Sequence, residues 1–364
     1  MKALTLIASA VLALAGNAGA AEKIPTVGKL ERVARFDGAM PTGVTVAENG
    51  RIFVNFPRWG DDVKFTVAEL RNGKAVPYPQ ADADPFISVQ SVVADGRGRV
   101  WILDTAAPEF SAPRQGGAKL VAVDLATNKI VKTVVFTPDA VLPTTYVNDV
   151  RFDFRVGAEG VAYITDSSLS GPGAIIVLDL ASGKAVRRLE GHASVSPEPG
   201  FVPSVDGKPM PASFKVASDG IALSPDGETL YYCALSSRRL YAVPTKLLRD
   251  PSVSEADLAK AVRDLGIKGA SDGLEADAKG AVYAGDYEHN AIRKLDAGAT
   301  TWRTIAQAPR LSWPDTFSIG PDGYLYVIAN QLHRQAGFNE GKDLRRKPYE
   351  LLRVKVNAGP APTK

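Results

Sequence analysis

Ser218-Asp-Gly-Ile-Ala-Leu223, the turn Pro225-Asp-Gly-Glu228 and the run Leu230-Tyr-Tyr-Cys233 make up a pattern that this chain carries six times. The other copies open with Pro41-Thr-Gly-Val-Thr-Val46, Val89-Gln-Ser-Val-Val-Ala94, Val147-Asn-Asp-Val-Arg-Phe152, Ser271-Asp-Gly-Leu-Glu-Ala276 and Pro314-Asp-Thr-Phe-Ser-Ile319. Each opening meets a Gly-containing polar turn and then a second β-rich run, such as Val100-Trp-Ile-Leu-Asp104 or Val282-Tyr-Ala-Gly-Asp286. Gly beside Asn or Asp, between β-branched and aromatic runs, is the signal of a β-hairpin. The anchors at 42, 90, 148, 219, 272 and 315 lie 43 to 71 residues apart. That spacing suits four-stranded propeller blades with loops of variable length. Third strands follow several hairpins, for example Lys119-Leu-Val-Ala-Val-Asp-Leu125. The expected fold is all-β: a six-bladed β-propeller closed by pairing of its N- and C-terminal strands. Lys29-Leu-Glu-Arg-Val-Ala-Arg-Phe36 would lie beside Leu351-Leu-Arg-Val-Lys-Val356, which removes the open sheet edge. The best helix candidate spans 254–264, with Ser254 as cap and Leu258 and Val262 on one face.

The bulk properties agree with a soluble globular protein. Of 364 residues, 45% are hydrophobic, and 43 basic against 40 acidic side chains leave a net charge of +3. That balance argues against a nucleic-acid carrier, which needs a concentrated basic face. Gly 33 and Pro 25 together exceed the usual share, as many tight turns require. Residues 1–20 read as a secretory signal: Lys2, a short apolar run over 3–15, and Ala18-Gly19-Ala20 as a cleavage site. No apolar stretch is long enough to span a membrane. The expectation is a secreted or periplasmic protein whose residues 21–364 form a single propeller domain, a monomer with no nucleic-acid or membrane partner. Cys233, the one cysteine, then has no disulfide partner and reads as a buried core residue.

Loop lengths point to one face. The turns joining first and second strands are all short, whereas residues 55–64, 105–117, 190–216 and 331–350 gather on the opposite face. Loops on a rigid scaffold carry binding and catalysis, so the site is expected there. The opening residues of the inner strands face the same way: Thr42, Gln90, Asn148, Asp219, Asp272 and Asp315. The ends of the second strands add Asn55, Asp104, Asp166, Asp286 and Asn330. Converging oxygens suit a hard cation such as Ca²⁺ or another divalent ion, and paired carboxyls can divide acid and base roles. Asp219 and Asp272 are the catalytic candidates. Thr42, Gln90, Asn148, Asp315, His192 and Trp59 are the candidates for holding a small-molecule ligand. Asn148, Asp219 and Asp272 are the candidates for a metal. For each Asp-Gly pair the plainer reading is turn chemistry, in which Gly tolerates positive φ. His192, His289 and His333 show no zinc-ligand spacing. Residues 190–216, rich in proline, read as a lid over the mouth.

Several stretches resemble the major royal jelly protein and Yellow family: Phe56-Pro-Arg-Trp59, Tyr146-Val-Asn-Asp149, Gly171-Pro-Gly-Ala-Ile-Ile-Val-Leu-Asp-Leu180 and, most distinctively, Leu235-Ser-Ser-Arg-Arg-Leu-Tyr-Ala-Val-Pro-Thr245. The resemblance implies a secreted six-bladed propeller. Insect relatives are linked to dopachrome conversion or bind biogenic amines in the channel, and bacterial members are described as dopachrome tautomerase-related. With one cysteine, this chain lacks the disulfides of insect relatives. It is more distantly similar to gluconolactonase and regucalcin-like propellers, whose metal site uses a Glu in the first blade and Asn or Asp later. Asn148, Asp219 and Asp272 match by type, but Thr42 stands in the first-blade place. Two functions are therefore expected: a Yellow-like binder of a small polar or aromatic molecule with tautomerase-type activity, or a calcium-type lactonase. A scaffold that binds protein through the same face is a third.

Overall fold

Period-two runs of β-branched and aromatic residues, cut every few residues by Gly, leave the chain little choice but short antiparallel strands. The computed structural model describes residues 27–80 and 84–364; residues 1–20, read above as a signal segment, lie outside them. Six four-stranded antiparallel sheets are arranged around a central channel. The inner strands are Gly43–Val46, Val89–Ala94, Val147–Asp153, Ser218–Leu223, Leu274–Ala276 and Pro314–Ile319. Each packs against the inner strand of the next blade, and the sixth packs against the first.

Closure occurs in blade six. Pro314–Ile319, Tyr324–Ala329 and Tyr349–Lys355 come from the end of the chain, and Leu30–Phe36 adds the fourth strand from its beginning. The register Leu30↔Val354 to Phe36↔Tyr349 is reinforced where Arg353 meets Glu31 at 3.0 Å. Pairing the two ends leaves no free edge at the seam.

The turns between first and second strands repeat one device. Asp95 accepts the amides of Arg97 and Arg99 at 2.8 and 3.2 Å, and its second oxygen accepts Trp101 Nε1 at 2.8 Å. Asp277 does the same for Lys279, Ala281 and the Tyr283 hydroxyl, and Asp322 takes the Tyr326 hydroxyl. One carboxylate thus closes the turn and satisfies the polar atom of the aromatic that packs between blades. Trp101, for instance, is buried with Phe152, Ile164 and Leu178.

Cys233 is a free thiol packed with Leu240, Leu274 and Trp302. The helix expected over 254–264 is shorter, Glu255–Lys260, with Ser254 Oγ accepting the Asp257 amide. Its expected continuation is drawn into the outer strand of blade four, Arg263–Ile267, because ladder pairing with Arg239–Pro244 outweighs local helix propensity. Among the described residues no helix is long and apolar enough to cross a membrane.

Candidate functional site

Backbone irregularity aims the ring of side chains. In four inner strands the ladder gains one extra residue at the start of the strand: between Val89 and Ser91, Val147 and Val150, Ser218 and Ile221, and Pro314 and Phe317. Gln90, Asn148, Asp219 and Asp315 fall inside these β-bulges, which turn a side chain out of the regular alternation. Blade one has an unbroken register and no bulge. Thr42 stays out of the cavity; it accepts Asn55 Nδ2 at 2.8 Å and lies 3.5 Å from Gln90 O.

Asp-Gly in these strands serves space rather than turn geometry. Gly220 and Gly273 have ordinary negative φ and are absent from the positive-φ residues. A methyl group on Gly220 would collide with the carbonyl oxygen of Asp272, and one on Gly273 with that of Asp315. Glycine lets three neighbouring inner strands approach closely enough to bring their aspartates together. This corrects the turn-chemistry reading of both pairs.

The result is a cavity of about 700 Å³ at the long-loop face, with Gln90, Asn148, Asp219, Asp272 and Asp315 at its floor. All three carboxyls are buried, and the side chains that donate hydrogen bonds to them are neutral. Asn148 Nδ2 donates to Asp219 at 2.7 Å, with Ser167 Oγ 3.0 Å from the same oxygen. Trp313 Nε1 donates to Asp272 at 2.6 Å, and Asn330 Nδ2 donates to Asp315. Asp219 and Asp272 lie close enough to act on each other's titration. Burial pushes all three carboxyls above the ordinary range, and mutual repulsion raises Asp219 and Asp315 further. Asp272, supported by the indole N–H and by Asp219, rises only to about 6. Asp272 is thus the more acidic member of the group, with Asp219 and Asp315 held well above the ordinary carboxylate range.

The walls are aromatic. Trp59 stacks on Phe110 at 4.7 Å, Phe110 lies 4.9 Å from Tyr146, and Trp59 Nε1 donates to the Tyr146 hydroxyl at 2.9 Å. Tyr146 in turn donates to Gln90 Oε1 at 3.1 Å. Glu109 and Phe110 both hold positive φ, an uncommon state for non-glycine residues that concentrates at functional loops. Across the cavity Phe214 meets Trp313 edge-on at 6.0 Å, and Trp313 is stacked between Tyr287 and His333.

Other candidates lie elsewhere. His192 caps the short turn Ala193–Val195 through Ser194 and does not line the cavity. Asp104 accepts the amides of Ile87, Ser88 and Ala106, and Asp166 binds the Tyr146 amide and pairs with Arg187 at 2.8 Å. These second-strand ends secure the backbone entering the inner strand of their own blade, which is why they turn from the mouth. Asn55 instead reaches across to the Val89 and Gln90 carbonyls of the next blade, and Asp286 bonds His289. Asn330 reaches the floor only through Asp315. Tyr146, Ser167, Phe110 and Phe214 were not singled out from sequence. Tyr146 and Ser167 flank strand ends and carry a positional signal, whereas Phe110 and Phe214 sit in loops without one.

The excursion over 190–216 does reach the mouth. Its short hairpin, Ser204–Val205 with Lys208–Pro209, brings Asp206 to His333 Nε2 at 2.9 Å and to Arg334 at 2.5 Å. Phe214 packs on Phe338 of the same partner loop. That loop is fixed to blade one by Arg345, which grips Asp61 at 2.8 and 2.9 Å.

The model of the major royal jelly protein family matches residues 87–363. The chain belongs to that family. Yellow proteins of fruit flies are similar in sequence: that of Drosophila erecta is 27% identical and that of Drosophila melanogaster 26%, each over 241 residues. The matched stretch is 60% of this chain but only 43% of those relatives' length. Solved structures share the architecture at low identity. The calcium-binding protein regucalcin of Agrobacterium tumefaciens aligns with a TM-score of 0.57 and 18% identity, covering 93% of this chain and 98% of that one. A gluconolactonase of Xanthomonas campestris aligns at 0.55 and 13%, covering 92% and 96%. At such identities the likeness establishes the fold alone.

Among the described residues no three His, Cys, Asp or Glu side chains are grouped so as to hold a metal ion. Thr42 faces the neighbouring blade and brings no carboxylate to the first-blade position, and Asn148 Nδ2 donates to Asp219 and Ser167.

Proposed function

We propose that this royal jelly family member is a secreted Yellow-type propeller that binds a small aromatic molecule carrying a positive charge at the channel mouth. One observation carries the reading: three buried carboxyls share the cavity floor and, among the described residues, none of them forms a direct ion pair, the buried Lys268 acting on Asp272 only from a distance. An ammonium supplies the missing charge, and the rings of Trp59, Phe110 and Tyr146 offer faces to an aromatic body and its cation. Amine binding and dopachrome conversion among insect relatives accord with such a ligand, and secretion accords with the family and with residues 1–20.

The same floor supports proton transfer. Asp272, the more acidic of the pair, would take a proton from one carbon or heteroatom of the ligand, and Asp219, whose carboxyl is held well above the ordinary range, would return one at another position. Proton out and proton in, with no net redox change, is a tautomerisation. Calorimetry with phenethylamine-type amines, catechols and sugar lactones tests the binding. Saturable heat with aromatic amines, abolished in Asp272→Asn, is expected. Uptake of none of the three classes would refute it. The lactonase alternative draws support from the shared architecture only; hydrolysis of a lactone that is lost on chelation and restored by calcium would establish it instead.

A further inference from the structure

The end of the channel opposite the mouth is covered by the chain's own last residues. Beyond Tyr349–Lys355 the backbone leaves blade six and runs across the axis. Pro360 bridges Asp277 of blade five, and Ala278 N donates to Gly359 O at 3.0 Å. At the other side Phe154 N of blade three donates to Thr363 O at 2.7 Å, and the Thr363 hydroxyl donates to Asp95 O of blade two at 2.7 Å. Five residues therefore reach from blade five to blades three and two, anchored at both ends by backbone hydrogen bonds. Pro360 and Pro362 have no N–H and a fixed φ, so the crossing exposes fewer donors over the opening and loses little entropy on ordering.

Under this crossing lies a cavity of about 80 Å³, lined by inner-strand residues of all six blades together with Pro360, Ala361, Pro362 and Thr363. Its surface is polar at the centre. Arg151 is held by Asp149 at 2.9 Å and lies 3.7 Å from Glu275, and its Nε has no protein partner. Ser91 donates to the remaining Asp149 oxygen at 2.8 Å, and Arg151 also donates to Leu274 O at 2.8 Å. Two carboxyls and one guanidinium thus occupy the channel between the aspartate floor and the tail.

We propose that residues 359–363 are a built-in plug, which makes the channel a well open only at the mouth that carries Asp219, Asp272 and Asp315. With the tail in place, solutes reach the floor from one face, and the Arg151 network is shielded from bulk water below. With the tail displaced, both the network and the underside of the floor face solvent. The plug stands on the tail's own contacts and does not depend on which ligand the mouth takes.

A thiol placed in the lower cavity reads the state of the plug. Ser318 lines that cavity, is buried, and is small enough for Ser318→Cys to keep the packing. Labelling with iodoacetamide is followed in three backgrounds: the full chain, a chain ending at Ala358, and a full-length chain with Pro362→Gly and Thr363→Gly to loosen the crossing. Cys233, buried between blades four and five, labels only if the fold opens and reports folding in every sample. We expect labelling at position 318 to be at least about tenfold faster in the shortened or loosened chain while Cys233 stays protected, since local opening governs such access. If shortening unfolds the protein, the loosened chain alone decides. Equal labelling rates at position 318 with and without an anchored tail, in folded protein, would overturn the plug.

Discussion

Trp313 Nε1 donates a 2.6 Å hydrogen bond to Asp272 Oδ2, and Trp313 itself holds positive φ between the rings of Tyr287 and His333. An indole N–H aimed at one of three buried carboxyls favours the ionised form of that one. In Trp313→Phe the stack is kept and the donor is lost, so Asp272 is expected to titrate at higher pH than its present value of about 6. Carbon-13 NMR of labelled aspartate carboxyls checks this; an unchanged midpoint would remove Trp313 from the electrostatics of the site.

The same carboxyl makes stability depend on pH. Its folded pKa of about 6 exceeds the ordinary 3.8, so the folded state binds more protons between those values. Stability therefore falls as pH rises from about 4 to about 6 and stays lowered above that. Asp272→Asn removes the penalty and is expected to stabilise the protein by about 2–3 kcal/mol at pH 8, with no gain at pH 3.5. Urea unfolding at both pH values measures the difference.

Close approach of the inner strands rests on two glycines. Gly220→Ala and Gly273→Ala would each drive a methyl into a neighbouring backbone carbonyl that cannot swing aside. Each is expected to cost about 2–4 kcal/mol, the range of severe overpacking. Alanine at Gly50, whose surroundings are open, serves as the comparison; its cost comes from positive φ alone and should be nearer 1 kcal/mol. Thermal unfolding ranks the three.

The contact between Asp206 and the His333–Arg334 pair holds the 190–216 excursion against the loop after blade six. Arg334 and Asp206 are partly exposed, so Asp206→Ala should change global stability by less than about 1 kcal/mol. Amide exchange over residues 201–216 should nevertheless quicken. Unaltered exchange there would show that Phe214 and its neighbours hold the excursion unaided.

Phe110→Ala takes away the exposed ring that stacks on Trp59 and Tyr146 while leaving the aspartate floor intact. Affinity for an aromatic amine is expected to fall about tenfold, and affinity for a non-aromatic amine of similar size to stay nearly constant. Calorimetry with phenethylamine and butylamine separates the two.

The architecture was legible from sequence because a propeller is a local pattern repeated. Hairpin turns, alternating strands and blade-length spacing are all properties of neighbouring residues, and each copy supports the others. Asp219, Asp272 and Asp315 were legible for the same reason, as the openings of three inner strands. Thr42 was misplaced because its hydroxyl is taken up by Asn55 and faces the carbonyl of Gln90 in the next blade, a contact between blades that its own strand does not encode. His192 was placed by loop membership alone, and its ring is occupied by the backbone of its own turn.

The amino-acid sequence by itself determined six blades, their closure at the seam and the face on which three aspartates open. Only the tertiary structure decided which groups meet. Hydrogen bonds between blades, such as Trp313 to Asp272 or Thr363 to Asp95, join residues 41 and 268 positions apart. Such distances follow from how closely the blades pack, and packing is set by glycine gaps, bulges and aromatic wedges acting together rather than by any one stretch of chain.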